Sequence, residues 1–202
     1  MIAVDIGGKI RDEYLTLGLE EVWKHVAEVA DISGDIALRF GLDPVRVRIS
    51  ALLHDISAVM SDDEMYELAK SRGLELDTSE VRYHFLLHQR ISALIAHERY
   101  GVSDLEILSA IECHTTLKKK ATAYDKALFI SDKLSTSRSG RPPYYNLVRN
   151  SAETSLDSAC YLYIRYQLDH GILSMPHTWL TEAFSELSET CSAELFDMEK
   201  VL

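Results

Sequence analysis

Residues 51–60 read ALLHDISAVM, and this short stretch contains the most informative residues of the chain. His54 and Asp55 lie side by side inside an apolar run. An unpaired carboxylate moved out of water costs on the order of tens of kcal/mol in an idealised apolar medium, so proteins neutralise it, pair it or give it to a metal. His54 and Asp55 therefore require partners from elsewhere in the chain.

The composition is that of an ordinary globular protein. The chain has 202 residues, of which 47% are hydrophobic and 26% charged, and we expect a single domain over residues 1–202. The formal net charge of -11 repels nucleic-acid backbones, so we expect small-molecule ligands and no nucleic acid. The N-terminus lacks the pattern of a secretory signal, and no window is apolar enough to span a bilayer, which predicts a cytoplasmic protein without a membrane partner.

Apolar residues recur at three-to-four spacing, as in Val22, Val26 and Val29, and no stretch alternates convincingly, so the sequence predicts an all-α fold. A long helix is predicted through VRYHFLLHQRISALIAHERYG (81–101), and two more around 159–168 and 179–187. The stretch STSRSGRPPYYN (135–146) is predicted to be a loop. Helix starts are predicted from Asp43 with Pro44, Ser61 with Glu64, and Ser103 with Glu106.

Six candidate metal ligands fall on the apolar sides of neighbouring predicted helices. They are His25, His54, Asp55, His88, His114 and Asp132. A single histidine on such a face is usually a hydrogen-bonded core residue, but four histidines and two aspartates on five helices favour a metal site. Imidazole and carboxylate suit iron, manganese, zinc or nickel. Cys113, Cys160 and Cys191 fit neither a disulfide framework nor a metal knuckle, and we expect reduced, mostly buried thiols.

In this order the six residues resemble those of the HD-domain phosphohydrolases, a family named for its His-Asp doublet. WKHVAEVADISGDIALRFGLD (23–43) and ALLHDIS (51–57) resemble the first helices of the family. LLHQRISALIAHERYGV (86–102), AIECHTT (110–116) and YDKALFISDKL (124–134) resemble the later ones. The YqeK-type branch, the symmetrical bis(5'-nucleosyl)-tetraphosphatases, is the most similar. The resemblance covers about residues 22–134, with a weaker echo in LDHGILSMPHTWL (168–180).

The resemblance implies an HD-domain helical bundle with a dinuclear metal site. The core would span about residues 22–134, followed by C-terminal helices at about 150–202. Two divalent transition-metal ions are implied, with iron expected and manganese, cobalt or nickel as alternatives. Asp55 would bridge them, and the remaining ligands would divide into two sets: His25, His54 and Asp132 for one ion, and His88 and His114 for the other. Independently of the family, a carboxylate has two oxygens with which to span two ions about 3.5–4 Å apart.

The implied activity is symmetrical hydrolysis of diadenosine tetraphosphate to two ADP by metal-assisted attack of water. A basic cluster, TTLKKK (115–120), follows His114, and we expect basic side chains to bind the phosphates, although such a run is often only a solvated face. The predicted phosphate-binding residues are Lys118, Lys119, Lys120, Lys126 and Arg138. Lys126 and Arg138 match basic positions near the site of the family, which implies catalytic roles for them beside Asp55.

Three positions depart from the family pattern. Ala58, Leu117 and Ser135 replace the usual lysine, glycine and glutamate, respectively. These departures leave open a hydrolase that acts on another nucleotide or phosphoester, and a metal-binding protein without turnover. His84 is either an outer ligand of the site or a surface residue. The sequence also leaves a homodimer open.

Overall fold

Eleven α-helices form the protein in the computed structural model, which describes residues 3–138 and 140–198. No strand occurs among those residues, so the predicted all-α class is confirmed. Two 3₁₀-helical turns lie at Ile56–Val59 and His84–Leu87. The helices are α1 Ala3–Thr16, α2 Glu20–Arg39, α3 Pro44–Leu53, α4 Asp62–Ser71, α5 Thr78–Arg82, α6 His88–Tyr100, α7 Leu105–Glu112, α8 Ala123–Leu134, α9 Tyr145–Ser151, α10 Leu156–Asp169 and α11 Thr178–Met198.

Two of the three predicted helix starts are confirmed. The Asp43 carboxylate accepts the Val45 N–H at the start of α3, and Ser61 forms a reciprocal capping box at the start of α4. The prediction of Ser103 as the third cap is wrong, because Asp104 accepts the first free N–H groups of α7. The Asp104 carboxylate also binds the Arg46 guanidinium of α3, so a tertiary ion pair favours it over the neighbouring hydroxyl.

The predicted helix over residues 81–101 is interrupted. α5 ends at Arg82, Tyr83 adopts a non-helical conformation (φ -131°, ψ 84°), and α6 begins only at His88. Apolar periodicity alone does not reveal such a break, because a 3₁₀ turn keeps nearly the same residues on the buried side. Two further helices, α1 and α9, were not predicted, and α9 begins inside the last two residues of the predicted loop.

Two apolar clusters form the core, and they share three helices. α2 contributes Val26 and Val29 to one cluster and Ile36 to the other. α8 is shared in the same way, since Leu128 belongs to the cluster of Val26 and Val29, and Phe129 belongs to the cluster of Ile36. α3 also contributes to both. The candidate ligands lie along these shared helices and on the segments that pack against them.

The three cysteines are free and buried, as predicted. Burial raises the pKa of the Cys113 and Cys160 thiols well above the ordinary range, so neither is a ready thiolate. Within the described part of the chain, no helix combines the length and apolar character that crossing a membrane requires.

A buried ion pair ties the C-terminal helix to the centre of the molecule. The Arg90 guanidinium of α6 donates to the Glu80 carboxylate of α5 at 3.0 Å, and the Glu80 side chain is fully buried. The His177 Nε2 atom, just before α11, lies 3.6 Å from the other Glu80 oxygen. Asp77 caps α5 and also accepts the Thr178 N–H. Because Arg90 follows His88 by two residues, this network supports the helix that begins with a candidate ligand.

We expect Glu80→Ala to lower the free energy of unfolding by about 3–5 kcal/mol, because it leaves the largely buried Arg90 charge without a carboxylate partner. Urea denaturation of the unmodified protein and of Glu80→Ala measures the difference in the free energy of unfolding. Glu67→Ala is the matched control, since Glu67 pairs with Lys70 in solvent and its loss should cost less than about 1 kcal/mol. Equal losses in the two variants would contradict the role given to the buried pair.

Candidate metal centre

The six predicted ligands converge at one place in the fold. His25 lies in the second turn of α2, and Asp132 lies in the last turns of α8. His54 and Asp55 directly follow α3, His88 opens α6, and His114 lies just beyond the end of α7. Four of the six are at most 7% exposed, and His88 and Asp132 are partly buried. The ends of helices therefore place most of these polar side chains in an otherwise apolar region.

The two oxygens of Asp55 face different pairs of histidines. The Oδ2 atom lies 3.8 Å from His25 Nε2 and 3.6 Å from His54 Nε2. The Oδ1 atom lies 3.7 Å from His88 Nε2 and 3.6 Å from His114 Nε2. One carboxylate thus stands between two separate sets of nitrogen atoms.

Asp132 adds a second carboxylate on the side of His25 and His54. Its Oδ1 atom lies 3.0 Å from His25 Nε2 and 3.8 Å from His54 Nε2. Three overlapping groups of three side chains have donor atoms within 4.8 Å of one another, which is close enough to hold a metal ion. They are His25 with His54 and Asp55, His54 with His114 and Asp132, and Asp55 with His88 and His114.

Backbone carbonyls fix the orientation of three of the imidazoles. The Nδ1 atom of each histidine lies within hydrogen-bond distance of the carbonyl three residues earlier: His54 with Ala51 at 2.6 Å, His88 with Phe85 at 2.6 Å, and His114 with Ile111 at 2.8 Å. A carbonyl only accepts, so Nδ1 carries the proton and Nε2 keeps its lone pair. Metal-binding histidines typically donate their other N–H in this way.

Ser135 orients the fourth imidazole. Its hydroxyl donates to the Glu28 carboxylate at 2.6 Å and therefore accepts the His25 Nδ1–H at 3.1 Å. Glu28 also accepts the backbone N–H groups of Thr136 and Ser137. These bonds outweigh the effect of burial and lower the pKa of Glu28 to about 2. All four Nε2 atoms are consequently unprotonated, and each lies within 3.8 Å of an Asp55 oxygen.

Imidazole nitrogens and carboxylate oxygens that converge with their lone pairs are suited to binding a cation. The Nε2 atoms of His88 and His114 lie 3.0 Å apart, although neither has a proton to offer the other. The buried Nε2 atoms of His25 and His54 have no hydrogen-bond partner among the described residues. Buried polar atoms are normally satisfied, so atoms that lack a partner require an explanation. Imidazole nitrogens and carboxylate oxygens are ligands for divalent transition metals, and the donor set fits such ions.

The protonation states also suit metal binding. Burial lowers the pKa of His54, and it lowers the pKa of His114 to about 4. The pKa of Asp55 lies well below the ordinary range, although burial alone would raise it. Neutral imidazoles and ionised carboxylates are the forms that metals bind.

Two basic side chains bind the aspartates from the outside. Burial opposes the charge of Lys133, but its Nζ atom lies 2.6 Å from Asp132 Oδ2, and Asp132 raises its pKa. The Arg138 Nη2 atom donates to Asp55 Oδ2 at 2.6 Å. Sequence analysis included Arg138 and missed both Lys133 and Glu28. The signal for Glu28 was its position three residues after His25, on the same face of α2.

Three of the other four predicted phosphate-binding residues have partners outside the cluster. Lys118 lies 3.6 Å from Glu112, the Lys120 backbone donates to Glu186 of α11, and Lys126 pairs with Asp157 of α10 at 2.6 Å. Lys119 is exposed. Lys126 precedes Asp132 by six residues, which places it on another face of α8. That these lysines bind phosphate stays a prediction.

Leu117 and His84 also have structural explanations. Leu117 is fully buried and has a φ of 58°, a conformation that favours glycine, so its departure from the family pattern combines backbone strain with core packing. His84 stacks on Tyr66 and lies 3.0 Å from Asp63 on α4. Its contacts are therefore with the surface of α4, and it belongs to none of the three ligand groups.

A cleft of about 260 Å³ opens beside the cluster. It is lined by Asp55, Ser57, Ala58, Met60, Asp62, Met65, Phe85, His88 and Arg138. A larger recess of about 480 Å³ lies between α1 and Arg99 and contains none of the six candidate ligands.

Comparisons with known proteins agree on one family. The HD domain profile matches residues 22–137. The uncharacterized protein in the pepC 5' region of Lactococcus lactis subsp. cremoris is 35% identical over 144 residues, which cover 71% of this chain and 73% of that protein. The symmetrical bis(5'-nucleosyl)-tetraphosphatase of Staphylococcus aureus is 30% identical over 145 residues, covering 70% and 73%.

A solved structure shares the fold. It is a predicted HD superfamily hydrolase involved in NAD metabolism from Clostridium acetobutylicum, with a TM-score of 0.83 and 24% identity. The match covers 90% of this chain and 96% of that one.

We expect Ser135→Ala to weaken binding of divalent transition metals by about 10–100-fold, because the His25 Nδ1–H loses the nearer of its two hydroxyl acceptors and Glu28 loses a donor. Titration with manganese in competition with a chelator measures the affinity. Ser103→Ala, which removes an exposed hydroxyl, is the control and should bind as the unmodified protein does. Unchanged affinity in Ser135→Ala would show that the link to Glu28 does not support the site.

Proposed function

Because the chain belongs to the HD domain family of metal-dependent phosphohydrolases, we propose that it hydrolyses diadenosine tetraphosphate symmetrically to two ADP. The observation that carries the proposal is the division of the Asp55 oxygens between two pairs of histidine Nε2 atoms. A site for two cations separated by one bridging carboxylate suits hydrolysis of a phosphoanhydride.

The proposed ligand sets follow the contacts of the two aspartates. His25, His54 and Asp132 would hold one ion, His88 and His114 the other, and Asp55 both. Iron is the proposed metal, with manganese, cobalt or nickel as alternatives that the same nitrogen and oxygen donors accept. When bound, the two cations would supply Lewis-acid stabilisation of the phosphoryl oxygens and an activated water.

The protein's own residues would bind and orient the phosphate chain. Arg138 adjoins Asp55 at the cleft, and more than half of its side chain is exposed, so its guanidinium can also bind a phosphoryl oxygen. Lys133 and Ser135 would hold Asp132 and His25 in place while the substrate binds. The burial of the cluster would exclude bulk water from all sides except the cleft.

Two observations support a dinucleoside tetraphosphate as substrate. The relative from Staphylococcus aureus carries that activity in its name, and the net charge of -11 discourages binding of polymeric nucleic acid. Hydrolysis of another nucleotide or phosphoester is the alternative. It is favoured by Ala58 and Ser135, which replace a lysine and a glutamate that are usual in the family. The alternative of a metal-binding protein without turnover is tested by the same experiment.

We expect iron-loaded protein to convert diadenosine tetraphosphate to ADP alone, since attack of water on an inner phosphorus that breaks its bond to the central bridging oxygen divides the molecule into equal halves. Anaerobic incubation followed by chromatography of the products checks this. AMP together with ATP would contradict symmetrical cleavage. Hydrolysis of nucleoside monophosphates without cleavage of the tetraphosphate would favour the alternative substrate, and no hydrolysis of either would favour the protein without turnover.

We expect Asp55→Ala to reduce the metal content from two ions per chain to none, because both ligand sets lose their shared oxygen donor. Activity should fall at least about 1,000-fold, as the stabilisation is worth several kcal/mol. Elemental analysis of anaerobically purified protein measures the metal. Asp35→Ala, which removes an exposed carboxylate from α2, should retain both ions. Full metal content in Asp55→Ala would refute the bridging role.

A further inference from the structure

The cleft beside the metal centre has an apolar wall that phosphate hydrolysis does not require. Phe85, Met60 and Met65 line it, together with the small side chain of Ala58. The Phe85 side chain is 50% exposed. Single exposed apolar side chains are common on protein surfaces, but this ring adjoins two thioether side chains in one concave site. The wall therefore offers a flat aromatic face to a ligand.

The position of Phe85 is fixed relative to the proposed ligands. Its backbone carbonyl accepts the Nδ1–H of His88 at 2.6 Å, three residues further along the chain. Phe85 lies within the 3₁₀ turn at His84–Leu87, and His88 follows that turn directly. The aromatic surface and the proposed metal ligand therefore have a preorganised separation, which a recognition site requires.

The cleft is lined by two kinds of side chain. Arg138, His88, Asp55, Asp62 and Ser57 are polar, whereas Phe85, Met60, Met65 and Ala58 are apolar. A nucleotide has the same division, because its phosphates are charged and its base has flat apolar faces that stack on aromatic rings. The cleft volume of about 260 Å³ is below the roughly 300–1,000 Å³ of pockets that enclose drug-sized ligands, so it suits one end of a dinucleotide.

We propose that Phe85, supported by Met60 and Met65, forms the surface on which one nucleobase of the substrate stacks. The inference rests on the proposed function and adds to it the recognition of the base. Phe85 is then a specificity-determining residue that distinguishes nucleotides from phosphate compounds without a base. Its carbonyl and its ring have separate roles, the first in holding His88 and the second in binding the base.

The test compares a ligand that has a base with one that lacks it. Isothermal titration of manganese-loaded full-length protein with ADP and with inorganic pyrophosphate gives the two dissociation constants. We expect Phe85→Ala to weaken ADP binding about 10-fold and to leave pyrophosphate binding unchanged, because only ADP loses a stacking partner. Phe85→Tyr keeps a flat ring and should bind ADP as the unmodified protein does. Leu105→Ala truncates another exposed apolar side chain, at the far end of α7 from His114, and should change neither constant.

Three outcomes would overturn the inference. They are equal weakening of both ligands in Phe85→Ala, unchanged ADP binding in that variant, and failure of the unmodified protein to bind ADP more tightly than pyrophosphate. The first would mean that Phe85 acts only through His88. Hydrolysis of diadenosine tetraphosphate is measured separately, so Phe85-dependent ADP binding without cleavage would reject the proposed reaction and retain the base site. Cleavage of diadenosine tetraphosphate without Phe85-dependent binding of ADP would retain the proposed reaction and reject the base site.

Discussion

The structure depends on one buried carboxylate. Asp55 is 7% exposed and lies among four imidazoles, with each of its oxygens facing two Nε2 atoms. Leaving such a group without compensation is too costly for a protein of marginal stability. The fold therefore has to bring α2, α3, α6, α7 and α8 to one point, and the two apolar clusters pack around the helices that do so. Burying the Asp55 carboxylate among lone pairs costs free energy because negative charge is concentrated there. The same concentration of negative charge and lone pairs suits the region to binding divalent cations.

The ends of helices solve the problem of orienting the imidazoles. The last carbonyls of a helix have no partner within it, and His54 and His114 use such carbonyls of α3 and α7 to hold Nδ1–H. The interruption before α6 gives His88 the same arrangement with the Phe85 carbonyl. The break that apolar periodicity failed to predict is thus tied to the geometry of a ligand, and local structure departs from the simple pattern where the site requires it.

The contacts around His25 show how the chain accommodates a departure from its family. Ser135 has no carboxylate, but its hydroxyl accepts the Nδ1–H of His25 and donates to Glu28, which lies on α2. Lys133 holds Asp132 in a similar manner, and Arg138 holds Asp55. Each ligand is consequently fixed by a neighbour, and the neighbour differs from one ligand to the next. In the proposed reaction Arg138 is the basic side chain that lines the cleft beside the ligands.

The sequence alone determined the helical class, two of the three helix starts that it predicted and the six residues that meet at the site. It did so because periodicity and capping are local, and because buried histidines and aspartates stand out against an apolar face. Only the tertiary structure decided which oxygen of Asp55 faces which histidine, that Glu28 supports His25, and that Lys126 pairs with Asp157. These facts depend on how helices distant in the chain are rotated against each other. The packing of the whole core sets that rotation, and no single segment encodes it.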